Sequence, residues 1–307
     1  MTALVSVVMN THNAEEFIDA AIRSVIKQTY INWELIVWDN LSVDKTISVV
    51  KSFKDQRIKL YVSPVFESLG QARNRALALC NGEFIAFLDS DDLWRPEKLE
   101  LQVPVFDDQA VGICISNTEF FDEHSSTVLY RKKKPKVGYV FSRLLKENFL
   151  SLETVILRKA CLEKMEQPFN IKFNMIEEYD LFLRICCEWR LAYVDNVLAA
   201  WRIHQNSVTQ QRPDLLTKEM RQMLENLILE TPDFHEKYEK ELLFQYNKCL
   251  IIDVKNNLEI ENRRELFGRI VNSTASLPLK ILLTLILIYP RLLDKLVKLR
   301  RYMIDVF

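Results

Sequence analysis

The feature that most constrains this chain is a rhythm in its first hundred residues. Short apolar runs, rich in β-branched residues, alternate with helical stretches and end in polar groups. Leu4–Met9 opens into Asn10-Thr11-His12-Asn13, Trp33–Trp38 ends at Asp39, Ile58–Val62 follows, and Glu83–Leu88 runs into Asp89. Continuous apolar runs of this length are the mark of strands buried on both faces. Between them, Phe17, Ala20, Ala21, Val25 and Ile26 recur near a period of 3.6. That spacing predicts a helix over Ala14–Tyr30, with Glu15 and Glu16 in the first turn, where the helix dipole favours acids. Further helices are expected over Thr46–Phe53 and Leu69–Cys80. The expected fold class is therefore α/β, a Rossmann-like and mostly parallel sheet with helices on both faces.

Composition removes several alternatives. With 307 residues, 49% hydrophobic and 27% charged, the chain has a packed protein's make-up, not that of a disordered, collagen-like or disulfide-scaffold chain. Lys and Arg number 41 against 42 Asp and Glu, so no global basic field points to nucleic acid as partner. The five glycines never fall at the spacing of a dinucleotide or P-loop cradle. Cys80, Cys114, Cys161, Cys186, Cys187 and Cys249 include no C-x-x-C pair, which suits buried thiols in a reducing cytosol. Met1-Thr2-Ala3 leads straight into the first strand with no basic region or cleavage site, so the expected location is cytoplasmic.

After Lys98 the alternation weakens. Strands are expected near Val111–Ser116 and Leu191–Val194, with a helix over Tyr179–Trp189. The expected organisation is an α/β domain over 1–212, made of the strongly alternating half (1–100) and a second half (101–212) that looks like an acceptor-side extension. A helical extension (213–272) follows, with helices over Leu216–Leu229, Phe234–Lys255 and Glu261–Ile270, and then a terminal segment (273–307). In that segment the apolar run Leu277–Tyr289 is interrupted by Lys280 and stopped by Pro290, short of the roughly 20 residues that span a bilayer. Behind it Arg291, Lys295, Lys298, Arg300 and Arg301 interleave with leucines, the pattern of a basic amphipathic helix on an anionic membrane face. Packing on the helical extension or on a second subunit is the alternative.

Ligands of such sheets bind beyond the carboxyl ends of the strands. The clusters Asn10–Asn13, Asp39-Asn40 and Asp89-Ser90-Asp91-Asp92 would line one crevice there. Asp89, Asp91 and Asp92 would repel one another unless exposed, capping backbone donors, or neutralised by a hard divalent cation such as Mg²⁺ or Mn²⁺. The plainer alternative makes Asp92 the cap of a helix starting at Leu93.

Val5–Asn13, Val37-Trp38-Asp39-Asn40-Leu41-Ser42-Val43-Asp44-Lys45-Thr46, Leu69-Gly70-Gln71-Ala72-Arg73-Asn74-Arg75-Ala76 and Phe87–Asp92, in this order, resemble a family 2 glycosyltransferase of the GT-A fold. The resemblance implies a metal-dependent, inverting transfer of a sugar from a nucleoside diphosphate donor, usually a UDP-sugar, to a glycan or lipid-linked acceptor in bacterial envelope polysaccharide synthesis. It implies that Asp39 accepts a hydrogen bond from the base, that Thr11 and Asn13 line the same pocket, and that Arg73 lies beside the base or phosphates. Asp89 and Asp91 would be the D-x-D pair, Asp91 on Mn²⁺ or Mg²⁺ and Asp89 toward the ribose and metal. In Met175–Arg184, Glu178 occupies the slot of the family's general base, with Asp180 and Glu177 as alternatives. Ala200–Ser207 resembles a segment in which Arg202 would pair with phosphate and His204 would be a third metal ligand. His12 stands where the family usually has Tyr.

Each residue also has a plainer reading. Asp39 forms a turn with Asn40 and Ser42, Arg73 pairs with an acid on a helix surface, and Glu178 stabilises a helix N-terminus. The basic run Arg131–Lys136 is a solvated loop or meets acceptor or membrane phosphate. The sequence departs from the family at Asn10 (usually Pro), at Trp38-Asp39-Asn40 (commonly Asp-Asp-Gly) and at Glu178 (usually Asp). A catalytically silent glycan- or nucleotide-binding protein on the same fold is the rival reading.

Overall fold

The computed structural model describes residues 2–130, 133–204, 213–256 and 263–288. The chain falls into two compact units, one of Met1–Leu144 with Asn148–Ser207 and one of Leu145–Glu147 with Val208–Phe307. The boundary expected after residue 212 lies in 205–212, outside the described residues.

The first unit is built on one sheet. β1 (Val5–Thr11), α1 (Ile18–Ile26), β2 (Trp33–Asp39), α2 (Thr46–Ser52), β3 (Ile58–Val62), α3 (Leu69–Leu77) and β4 (Phe84–Phe87) follow the expected alternation. β5 (Leu93–Trp94), α4 (Lys98–Gln102), β6 (Val111–Phe121), β7 (Ser126–Val128), the start of α5 (Phe141–Lys146, whose last two residues belong to the second unit), β8 (Ile156–Arg158), α6 (Glu177–Cys186) and β9 (Arg190–Arg202) complete it. The strand order is β3-β2-β1-β4-β8-β6-β9-β5, with β7 beside β6. β1 pairs in parallel with both β2 and β4, and β2 with β3. Beyond β4 the sheet is mixed, because β8 runs antiparallel to β4 and β6 while β6 and β9 are parallel. The chain therefore reverses its direction of travel at β1, and the crevice this leaves at the carboxyl ends is where such sheets take ligands.

All seven residues of β1 are buried, as a central strand covered on both faces requires. Val5, Val7, Met9, Leu35 and Val37 pack against Ile18, Ala21, Ile22 and Val25 of α1, each fully buried aliphatic side chain contributing roughly 1.5–3 kcal/mol relative to exposure. α1 is shorter than the apolar period predicts. Ala14 N–H donates to Thr46 Oγ1 and Glu15 N–H to Asp44 Oδ2, so residues 14–17 form a turn stitched to the next loop. Glu15 and Glu16 thus stand outside the helix, and Asp19 takes the first turn. The helix-cap reading of Asp92 is also corrected: Leu93 and Trp94 form a strand opposite Ala200 and Ala199, and the Asp92 carboxylate accepts the Arg202 N–H.

In the second unit, α7 (Pro213–Glu230), α8 (Phe234–Lys237), α9 (Glu239–Asn256), α10 (Arg263–Asn272) and α11 (Leu277–Ile288) follow in sequence. The single helix expected over Phe234–Lys255 breaks at Tyr238, after an entry through Asp233 in the left-handed region (φ 57°). Leu250, Val254, Leu266, Ile270, Leu283, Ile286 and Leu287 form the unit's core, so one side of the apolar terminal run packs on its own helices. Among the described residues no helix is long and apolar enough to cross a membrane. The basic stretch from Arg291 onward lies outside them, as do Arg131 and Lys132 of the other basic run, while Lys134 is paired with Asp195.

Candidate active site

At the end of the site expected to take the base, Thr11 and Asp39 are register partners at the tips of β1 and β2. Asp39 is fully buried, and its Oδ1 accepts from Ser42 N–H at 2.9 Å, so the turn reading is correct for one oxygen. Oδ2 has no partner, nor does Thr11 Oγ1. Buried polar atoms are rarely left unpaired, so two acceptors at a strand terminus are poised for donors from a ligand. Asn13, in the left-handed region at φ 50°, spends its side chain on the loop: its Oδ1 accepts Val43 N–H, and its Nδ2 lies 3.1 Å from His12 Nε2. His12 sits with Nδ1 2.8 Å from the Asn40 carbonyl and its ring edge-on to Phe66. Asn10, where the family prefers Pro, is buried with an unpartnered amide.

At the chemical end, α3 supplies Arg73. Its helix is capped by Ser68, whose Oγ accepts Gln71 N–H. Gly70 permits a close approach, since a Cβ there would stand 2.7 Å from the Asn170 carbonyl oxygen. Asn74 pins the same loop by exchanging two hydrogen bonds with the backbone of Phe169. Arg73 is thereby buried over the Phe169 ring, reaching Asp89 at 3.3 Å, Glu178 at 3.2 Å, and Glu177. Burial would favour a neutral guanidinium, yet Asp89, Glu177 and Glu178 together hold it protonated beyond the usual arginine range.

Arg73 thus stands among three carboxylates, and its helix-surface reading is wrong in burial. The three acids of α6 separate by exposure. Glu177 is 2% exposed beneath Arg73, Asp180 is 10% exposed and paired with Arg184 one turn on, and Glu178 is 28% exposed. Glu178 is pushed up to about 8, chiefly by burial and further by Glu177, Asp89 and Glu153, against the opposing pull of Arg73. Its position in the first turn of α6 also sets it in the favourable helix dipole.

The D-x-D segment is wrapped by the end of β9. His204 Nε2 lies 2.9 Å from Asp91 Oδ2, and Arg202 Nε donates to the Asp91 carbonyl at 3.0 Å. The Arg202 guanidinium stacks on the Phe17 and Phe121 rings, and Phe17 also meets the His204 ring. His204 Nδ1 is buried without a partner. Behind this pair lie two buried acids, Asp92 and Glu153, both raised, first by burial and then by neighbouring carboxylates. The Ser151 hydroxyl lies 2.7 Å from both Glu153 carboxylate oxygens and donates to them. Phe17, Phe169 and Glu153 are absent from the sequence-based site. Phe17 reads there as one more apolar helix position, and only the acid at 153 inside an apolar stretch, Leu150–Ile156, could have drawn notice.

Among the described residues no three His, Cys, Asp or Glu side chains form a preassembled metal site. Asp91 and His204 side by side, with Asp89 near, nevertheless suit an ion that keeps waters and takes the rest of its oxygens from substrate phosphates, as Mg²⁺ commonly does. Imidazole also suits Mn²⁺ within the first-row metals.

The sheet changes direction at β1, and carboxylates gather at its strand ends. The family model for glycosyl transferase family 2 matches residues 6–165, and the chain belongs to that family. WfgD of Escherichia coli, a UDP-Glc:alpha-D-GlcNAc-diphosphoundecaprenol beta-1,3-glucosyltransferase, is 35% identical over 211 residues, 68% of this chain and 81% of that protein. Residues 1–349 of TarS from S. aureus, solved with UDP-GlcNAc, align with TM-score 0.71 and 20% identity over 87% of this chain and 79% of that one. The mannosyltransferase PcManGT from Pyrobaculum calidifontis, solved with GDP-Man and Mn²⁺, aligns with TM-score 0.61 and 16% identity over 93% of this chain and 81% of that one. The fold is GT-A and the protein is a glycosyltransferase, which sets the silent-binder rival aside.

Proposed function

We propose that this glycosyltransferase moves a sugar from a uridine diphosphate donor onto a lipid-linked glycan, with inversion and with a divalent cation. The observation that carries the reading is Arg73, whose one guanidinium touches Asp89 of the D-x-D segment and Glu178 of α6. By holding both groups, Arg73 would fix the proton acceptor relative to the donor diphosphate. That is the arrangement a one-step displacement requires.

Asp39 Oδ2 and Thr11 Oγ1 would accept from the nucleobase and ribose, and an imide N–H such as that of uracil satisfies a buried carboxylate oxygen. Asp91, Asp89 and His204 would hold the cation, which when bound supplies positive charge to the departing diphosphate. Arg202, pre-oriented by Phe17 and Phe121, would add a second positive group for phosphate. Glu178 takes the acceptor hydroxyl proton as the acceptor oxygen attacks the anomeric carbon, and attack opposite the leaving group inverts that centre. The acceptor class rests on WfgD, whose named acceptor is a diphosphoundecaprenol-linked GlcNAc, and implies envelope polysaccharide synthesis at the cytoplasmic membrane face. None of the described cysteines forms a disulfide, which suits that reducing compartment.

The test is UDP release from UDP-glucose with a synthetic GlcNAc-diphosphate lipid, with Mn²⁺ or with EDTA, and anomeric assignment of the product by NMR. A β-linked product from the α-linked donor, formed only with metal, is expected. A retained anomeric centre would sink the one-step mechanism, and full turnover in EDTA would sink the metal assignment.

A further inference from the structure

The helical unit carries an apolar surface that its own core does not use. α11 turns Leu283, Ile286 and Leu287 inward, but Leu277, Ile281 and Leu285, spaced four apart along its other side, are 69%, 52% and 41% exposed. On the neighbouring α10, Phe267 and Val271 are one turn apart and about half exposed. Lys280 lies within this stripe and donates its Nζ to the Val271 carbonyl, tying the two helices together there. Exposed contiguous apolar patches on proteins mark interaction sites.

What would cover it is indicated by length and charge. The apolar run Leu277–Tyr289, interrupted by Lys280 and followed by Pro290, is shorter than the roughly 20 residues that span a bilayer, so it suits the interface rather than a crossing. The sequence continues directly into Arg291, Lys295, Lys298, Arg300 and Arg301 interleaved with Leu292, Leu293, Leu296 and Leu299, with Asp294 and Asp305 the acids of that stretch. An apolar stripe joined to a basic, leucine-rich segment matches an anionic lipid surface. A second copy of the chain matches less well, since a twofold pairing through this region brings like charges together.

We propose that the exposed side of α11, with Phe267 and Val271, is a peripheral anchor that beds into the headgroup layer of an anionic membrane, with the basic segment after Ile288 supplying the attraction to lipid phosphate. The proposal rests on the reading above, in which the acceptor is itself a lipid.

The test co-sediments the full chain with vesicles of phosphatidylcholine alone or mixed with phosphatidylglycerol. Binding is expected with the anionic vesicles, weakening as salt rises. Lys298→Gln, Arg300→Gln and Arg301→Gln together should lower it by roughly fivefold per charge removed. Ile281→Asp with Leu285→Asp should lower it more than tenfold, with the circular dichroism spectrum unchanged. Equal sedimentation with both vesicle types, or wild-type binding by both variants, overturns the proposal. So does a lipid-free dimer in sedimentation velocity that Ile281→Asp dissociates. Transfer to a short-chain, water-soluble acceptor should survive in both variants. If wild-type protein binds anionic vesicles but transfers nothing, the anchor stands and the catalytic reading fails.

Discussion

The two ends of the site are built on opposite principles. Around Asp39 and Thr11 the structure leaves buried acceptors without donors, whereas around Arg73 it crowds Asp89, Glu177 and Glu178 onto one guanidinium. The base end is thus completed by whatever ligand brings the missing hydrogen bonds. The chemical end is paired around Arg73, with the Nδ1 of His204, beside Asp91, left open, and its function depends on how an excess of negative charge is shared. In the proposed mechanism, specificity would follow from incomplete polar pairing, and proton transfer would rely on a carboxylate kept near neutrality by its surroundings.

The largest expected break in that contrast is Arg73→Met. Removing the cation takes its Arg73 partner from the buried Glu177 carboxylate, a loss of about 3–5 kcal/mol in stability. Thermal denaturation should show it, together with lost turnover. Arg73→Lys should keep part of the stability but not the bridge between Asp89 and Glu178, because an ammonium lacks the planar fork. If Arg73→Met melts like the wild type, the cluster is not organised by this residue.

Next in size is Glu178→Gln, expected to reduce kcat by about 10²–10⁴ while UDP still raises the melting temperature as in wild type. Because Glu178 is raised to about 8 by burial and neighbouring acids, turnover should climb as pH rises through that value. Stability should move the other way. Between the ordinary glutamate value and about 8 the folded chain binds the proton more tightly than the unfolded chain, so this group lowers stability as pH rises. Glu178→Gln should remove both slopes, and a pH profile of kcat unchanged in that variant would assign the proton to another group.

A smaller effect probes the base end. Asp39→Asn should weaken UDP binding by about 1–3 kcal/mol, read as a rise in KM with kcat little changed, and should leave Tm little changed because the amide oxygen can still accept from Ser42 N–H. Equal losses in kcat and KM would show that the two ends are not separable. The smallest effect is at Leu41, which holds a left-handed conformation at φ 65° in the turn after Asp39. Leu41→Asn should raise stability by up to about 1 kcal/mol, measured by denaturant midpoint, since Asn tolerates that conformation.

Much of the fold was legible because burial on both faces leaves an unbroken apolar run. β1 to β4 appear within a residue or two of where the runs predict them. The mixed half was harder to read. β9 runs from Arg190 to Arg202, yet only Leu191–Val194 stands out in the sequence, because polar Asp195 and Asn196 on the exposed stretch interrupt the pattern. The start of α1 was misjudged for a related reason: side chains thirty residues away, Asp44 and Thr46, take the N–H groups that would otherwise open the helix.

The sequence by itself determined the parallel half of the sheet, the polar strand ends and the order of the motifs, since these depend on local periodicity and on residues close in the chain. Only the tertiary structure decided that Arg73 faces Glu177 and Glu178 across 104 and 105 positions of chain, that Phe17 supports Arg202 and His204, and that Asp92 caps no helix. Charge balance in a buried cluster is set by distances between elements far apart in sequence, and no local pattern encodes those distances.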